Sequence, residues 1–187
     1  MLEADAHLSP AIPIDPPDGY PAELEQVVEL SDHSELTIRP LVPDDIERMR
    51  HAFEVGDSES IRRRFLTGAA PSGETQLHYL VDIDYQQRMA LLGLDTDGNS
   101  VGIARYERLE SEGTAEIAIV VAPEWRKHGI GGLLVEALEP PAKRCGFRRF
   151  VAGYLPDNRA IADLLGELGY GNRRLEDGLV WVEKSLQ

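Results

Sequence analysis

Hydrophobic positions along this chain switch repeatedly between a period of two and a period near 3.6, and each switch marks an element. Glu35-Leu36-Thr37-Ile38-Arg39 alternates polar and apolar, so it predicts a first strand. Pro43-Asp44-Asp45 then opens a helix, with proline and acids in its first turn. Ile46, Met49, Arg50 and Phe53 follow at helical spacing, and Gly56 ends it. Asp57 to Phe65 reads as a second short helix, capped by Ser58 or Ser60 and made basic by Arg62, Arg63 and Arg64. Thr67 to Gly73 is a loop, and Gln76 to Tyr85 is either helical or irregular.

Strands take over from Arg88. Met89 to Leu94 is an apolar run closed by the turn signal Asp95-Thr96-Asp97-Gly98-Asn99. Val101 to Glu110 is the next strand, turned at Ser111-Glu112-Gly113. Thr114 to Val121 is the most apolar strand and carries one carboxylate, Glu116. These three runs predict an antiparallel meander. Beyond Trp125 a helix begins, with Ile130, Leu133, Leu134, Ala137 and Leu138 forming a core-facing stripe. Pro140 and Pro141 predict a kink or break, with a second piece reaching Cys145 and Gly146. Arg149 to Tyr154 is another strand. Pro156-Asp157-Asn158 caps a helix through Leu168, closed by Gly169, and Asn172 to Lys184 predicts a hairpin turned at Asp177-Gly178. The order is strand, two helices, three strands, helix, strand, helix, two strands. It predicts one α/β (α+β) domain over residues 27–187, with a mixed, mainly antiparallel central sheet flanked by helices. Residues 1–26 make a proline-rich arm with Pro10, Pro13, Pro16 and Pro17, extended and irregular. It is either a disordered tail or an arm packed on the domain or on a partner chain.

Composition narrows the function. The 187 residues suit one domain plus an arm, and 42% hydrophobic with 28% charged residues is ordinary for a globular chain. A formal net charge of -14 argues against general nucleic-acid or anionic-membrane binding, because phosphates are repelled. No apolar run approaches the ~20 residues of a membrane span. Cys145 is the single cysteine, read as a packing residue, so no internal disulfide forms. With no signal peptide this predicts a cytoplasmic protein. His7, His33, His51, His78 and His128 show no metal spacing, so no metal is expected.

One segment carries chemistry. Arg126-Lys127-His128-Gly129-Ile130-Gly131-Gly132 follows an apolar strand and opens an amphipathic helix. Glycines permit positive φ and close approach of backbone to a ligand. The first amides of a helix lack partners within it, and the helix dipole adds positive charge there. Such a turn is an anion site, fit for a phosphate or pyrophosphate, or else only a tight connection. Between residues 122 and 150 six cations stand against three carboxylates, so the local charge is positive in an acidic chain. The P-loop pattern and the GxGxxG dinucleotide fingerprint are both absent.

Arg126-x-x-Gly129-x-Gly131 resembles the R/Q-x-x-G-x-G/A signature of the GNAT superfamily of N-acetyltransferases. The preceding IAIVVAPEW resembles that family's fourth strand and its exit, and Asn158 to Tyr170 resembles its closing "N…A…L…GF" stretch. The resemblance covers roughly residues 35 to 184. LTIRPLVPDD, SESIRRRF, VDIDYQQRMALLGL and AEIAIVV are further similar to the bacterial Pat-like protein-lysine acetyltransferases. The resemblance implies acetyl-CoA as co-substrate. Backbone amides of Ile119, Val120 and Val121 would bind the pantetheine arm as an added strand. Those of Arg126, Lys127, His128, Gly129, Ile130, Gly131 and Gly132 would hold the pyrophosphate. His128 either contacts the cofactor or is simply exposed. Asn158 would bond the pantetheine, cap its own helix, or do both.

Acyl transfer to an amine needs a base, because the amine is mostly protonated at neutral pH. Glu116 stands among apolar neighbours, which raise a carboxylate's pKa toward working pH, and it matches the glutamate that serves as base in Pat-like enzymes. Glu107, Glu110 and Glu112 are competing carboxylates. Many GNAT enzymes carry a tyrosine in the last helix to protonate the leaving thiolate; here that position is Leu165. Three readings follow: an acetyltransferase acting on a protein lysine ε-amine, one acting on a small-molecule amine, or a non-catalytic acyl-CoA-binding regulatory module. The chain would act as a monomer or homodimer.

Overall fold

The computed structural model describes residues 12–13, 15–55 and 73–187, with backbone alone for 52–55. The helix expected over Asp57 to Phe65 and most of the loop after it lie outside the described residues.

Among the described residues eight strands form one sheet: β1 Gln26–Glu29, β2 Glu35–Pro40, β3 Arg88–Leu94, β4 Ser100–Arg108, β5 Thr114–Val121, β6 Arg149–Tyr154, β7 Gly171–Glu176 and β8 Leu179–Ser185. Their order is β1-β2-β3-β4-β5-β6-β8-β7. Every neighbouring pair is antiparallel except β5 and β6. A parallel pair needs a long crossover, and α3, Ile130–Arg144, supplies it. The other helices are α1 Ile46–Val55, α2 Glu74–Val81 and α4 Arg159–Glu167. This is the expected mixed, mainly antiparallel α/β architecture, and α2 resolves the ambiguous stretch before Tyr85 as helix.

Strand alternation sends side chains to two cores. On one face Leu36, Leu91, Ala104, Ile117 and Phe150 pack under Ile130, Leu134 and Leu138 of α3. On the other Leu92, Ile103 and the partly buried Val120 meet Met49 of α1 and Leu77 and Leu80 of α2.

Two expectations are corrected. Pro140 and Pro141 do not break α3, which runs on to Arg144. Each proline removes one helical donor, yet Leu138, Pro141 and Ala142 stay buried in the sheet contact, and the Cys145 amide donates to Pro141 at 3.0 Å. Burial therefore outweighs the lost bonds. Second, a strand precedes the first predicted one: β1 pairs with β2 across a turn closed by Leu30 N–H to Ser34 C=O at 2.8 Å. Just before it, Tyr20 stands edge-on to Tyr85 at 5.8 Å, and Glu23 meets Arg144 at 3.0 Å.

The start of α1 is tied to β2 by charge. Arg39 and Asp45 are fully buried and joined by two bonds of 2.7 Å. Asp45 also accepts from the Val42 amide at 3.0 Å and from Arg48 Nε at 3.3 Å. Removing one partner of a buried pair strands the other charge. Asp45→Ala is therefore expected to lower the unfolding free energy by about 3–5 kcal/mol, read from urea unfolding; a loss below about 1 kcal/mol would show that the pair contributes no more than a surface one.

Candidate functional site

The parallel pairing of β5 with β6 is short. Thr114, Ala115 and Glu116 face Arg149, Phe150 and Val151, and no register continues beyond them. The remaining ends, Ile117–Val121 and Ala152–Tyr154, diverge and wall a cleft of about 730 Å³. Its other walls are the turn after β5 and the near side of α4.

Which backbone groups open into this cleft follows from strand geometry. In an antiparallel strand successive peptide groups face opposite neighbours. The Ala122 amide donates to Val101 of the β4 side at 2.9 Å. A Cβ placed on Gly102 would lie 3.2 Å from the Val120 carbonyl, so Val120 also faces β4. The peptide groups of Ile119 and Val121 consequently face the gap, and the Val121 carbonyl is met there by Arg126 Nε at 3.4 Å.

The turn below the cleft is built for a helix start. Pro123–Trp125 makes one 3-10 turn, Lys127 has φ 68°, and Gly129 caps α3 with φ 80°. No atom would crowd a Cβ on Gly129, so its conformation, not space, calls for glycine. Leu133 N–H to Gly129 C=O at 3.1 Å closes the first helical turn. The amides of Ile130, Gly131 and Gly132 therefore have no acceptor within the helix. The helix dipole and the neighbouring Arg126 and Lys127 side chains give this end of α3 the chemistry that suits an anion. Gly131 has a packing reason as well: its Cβ would stand 3.0 Å from Leu164 of α4.

Ile119, Val120, Val121, Arg126, Lys127, Gly129, Ile130, Gly131, Gly132 and Asn158 all line the cleft. Asn158 is buried, and its side-chain oxygen accepts from the Ile161 amide at 3.4 Å, so it caps α4 while facing the cleft. His128 stands apart from the lining, with Nδ1 3.2 Å from Asp32 in the β1–β2 turn. Hydrogen bonds from Ser34 and the nearby His128 hold the Asp32 carboxyl below its ordinary range.

Glu116 also lies outside the cleft lining. It is half-buried on the α1/α2 face, in a cross-strand row with Glu107, Val151 and Glu183. Glu107 is engaged: the Tyr79 hydroxyl donates to it, Arg105 lies 3.7 Å away and Arg88 3.9 Å. The bond to Glu107 pushes the Tyr79 phenol up. Burial pulls the Arg105 guanidinium down, and its Nη2 makes no hydrogen bond.

Sequence reasoning passed over Trp125, Gly153, Tyr154 and Leu164, which also line the cleft. Helical spacing from Asn158 carries the signal for Leu164. Alternation in β6 places Tyr154 on the α3 face. Nothing local marks Gly153. Leu165 is buried and lines the cleft, whereas the buried Tyr170 hydroxyl, unpartnered and pushed well up by desolvation, does not. Among the described residues no group of three His, Cys, Asp or Glu side chains could hold a metal, and no helix is long and apolar enough to cross a membrane.

The chain is similar to known acetyltransferases. Residues 58–170 match the acetyltransferase (GNAT) family. An acetyltransferase from Pseudomonas aeruginosa is 34% identical over 154 residues, 81% of this chain and 83% of that protein. Acetyltransferase Pat from Mycolicibacterium smegmatis is 31% identical over 80% of this chain, which spans 42% of its length. The crystal structure of the GNAT domain of S. lividans PAT superposes with a TM-score of 0.83, at 28% identity, over 89% of this chain and 99% of that one.

Gly129→Ala puts a Cβ on a left-handed residue, at a cost of about 1–2 kcal/mol. Coenzyme A affinity measured by calorimetry is expected to fall about tenfold; an unchanged affinity would show that this turn does not hold the phosphates.

Proposed function

The chain belongs to the acetyltransferase (GNAT) family and is an acyl-CoA-dependent N-acyltransferase with acetyl-CoA as co-substrate, and we propose that its acceptor is the ε-amine of a protein lysine. The observation that carries the reading is the position of Glu116. It ends the paired stretch of β5, next to where the strands part, on the face opposite α3.

Two sides of the sheet then divide the work. The amides opening α3 and the side chains of Arg126 and Lys127 hold the pyrophosphate of acetyl-CoA. The gap-facing peptide groups of Ile119 and Val121 pair with the pantetheine arm as a strand would. Asn158 supports that arm from the start of α4. Glu116 takes the proton of the incoming ammonium, and the freed amine attacks the thioester carbonyl directly. The new C–N bond forms as the C–S bond breaks, and the nitrogen's remaining extra proton leaves to solvent, giving the neutral amide. A gap-facing amide, that of Ile119 or Val121, receives the developing oxyanion. Leu165 has no proton to give, so the thiolate is protonated by water or by the Tyr154 phenol in the cleft wall.

Likeness to the Pat-like protein-lysine acetyltransferases supports lysine as acceptor, together with the relatives that carry the name Pat. A small cationic amine is the second reading. It is favoured by the net charge of -14, which attracts cations. Mass spectrometry of a cell lysate treated with the protein and labelled acetyl-CoA decides between them. Labelled lysines in proteins are expected; label confined to small amines would replace the first reading by the second.

Glu116→Gln removes the base and keeps the shape. Turnover is expected to fall about 10²–10⁴-fold with acetyl-CoA affinity retained, and the acidic limb of the kcat profile should disappear. An unchanged profile would take Glu116 out of that role.

A further inference from the structure

Trp181 is the large aromatic side chain on the face that carries Glu116. It pairs with Gly153 of β6, in the row next to the one that joins Glu116, Val151 and Glu183. Its six-membered ring lies directly over Gly153: a Cβ there would come within 3.0–3.1 Å of three ring carbons. Gly153 is therefore glycine because this ring occupies the place of a side chain. Gly153 itself lines the cleft, as does Ala118, the next residue of β5 on the Glu116 face. Glu116 and Trp181 lie outside the cleft lining, and by register they stand on this face to either side of it, the carboxylate on β5 and the indole on β8 over Gly153 of β6. Among the described residues, Ala118 and Gly153 are the members of the cleft lining that lie on this face nearest to both. Trp181 remains half-buried.

We propose that Trp181 is the acceptor wall of the site, binding the aminoalkyl stem of the amine whose nitrogen Glu116 deprotonates. This rests on the acyltransfer reading above and adds to it the residue that holds the aliphatic stem of the acceptor amine. The chemistry fits both ends of such a group. Methylenes pack on the flat indole face, and the ammonium is drawn to the π-cloud before it gives up its proton to the carboxylate opposite. The flanking carboxylates of this row are held by their own partners, Glu107 by Tyr79, Arg88 and Arg105 and Glu183 by Arg149 at 3.5 Å and Asn172 at 2.7 Å, which leaves the attraction for the cation to Glu116 and the indole. A wall of this kind contributes to acceptor binding and not to acetyl-CoA binding, since the pyrophosphate turn and the gap-facing peptides of β5 lie elsewhere in the fold.

The test uses Nα-acetyl-lysine amide as acceptor. Trp181→Ala is expected to raise its KM about tenfold, with a smaller change in kcat and the acetyl-CoA Kd unchanged by calorimetry. Trp181→Phe should restore most of the affinity. An unchanged KM in the alanine variant would overturn the proposal, and so would a parallel loss of acetyl-CoA affinity, which would mark a purely structural ring. A second measurement needs no turnover. The chain has two tryptophans, so Trp125→Phe leaves Trp181 as the sole emitter. Adding the lysine amide to this variant, with desulfo-CoA present, should shift its emission; no shift would overturn the wall even where acyl transfer is observed. A shift without transfer would sustain the wall while removing the acyltransfer reading to lysine.

Discussion

Everything in this site depends on the point where β5 and β6 stop pairing. Backbone donors and acceptors inside a protein must find partners, and a sheet normally supplies them. Here three residues of β5 are paired with β6, after which the strands part. The unpaired edge of β5 faces a cleft, with the peptide groups of Ile119 and Val121 turned toward it. An interrupted sheet offers unpaired peptide groups that an extended ligand could pair with, and the proposed pantetheine contact uses that edge. The interruption is held open by packing. The start of α3 and the flank of α4 meet at Gly131 and Leu164, so close that a Cβ on the glycine would stand 3.0 Å from the leucine. Both helices share one core with the diverging strand ends.

The same strand serves two compartments because its period is two. Residues 117, 119 and 121 belong to the face covered by α3, and residues 116, 118 and 120 to the face covered by α1 and α2. Cofactor recognition can use the peptide edge and the first face. Acceptor chemistry can use the second. A register slip of one residue would exchange the faces and turn Glu116 into the main core. The Arg39–Asp45 pair matters here at one remove. It anchors the start of α1, and α1 with α2 closes the core on the Glu116 side.

Much of this was legible along the chain. The bounds of β5 and β6 emerge directly from runs of β-branched and aromatic residues, and the glycine turn reads as a helix-start anion site from composition and order. Other features arise only in three dimensions. β1 shows no alternation, since its four residues are exposed or half-exposed, and its partner supplies the order. The proline pair within α3 breaks a local rule that burial overrides. His128 sits inside the recognised motif, yet its ring turns to Asp32, which is distant in sequence. Likewise Gly153 looks like any strand glycine until Trp181 is found lying on it.

The choice of base illustrates the difference between a residue type and a residue's company. Glu107 and Glu116 are direct cross-strand partners, so proximity to the mouth separates them poorly. Glu107 has a structural task of its own. Glu107 receives the Tyr79 hydroxyl and lies within ion-pair distance of Arg88 and Arg105, and protonating it would weaken all three contacts. It is also one strand further from the gap than Glu116, whose other strand partner is Val151 of β6. A charge committed to structure is a poor acceptor for a substrate's proton. In the proposed scheme Glu107 keeps its structural contacts and Glu116 moves the proton.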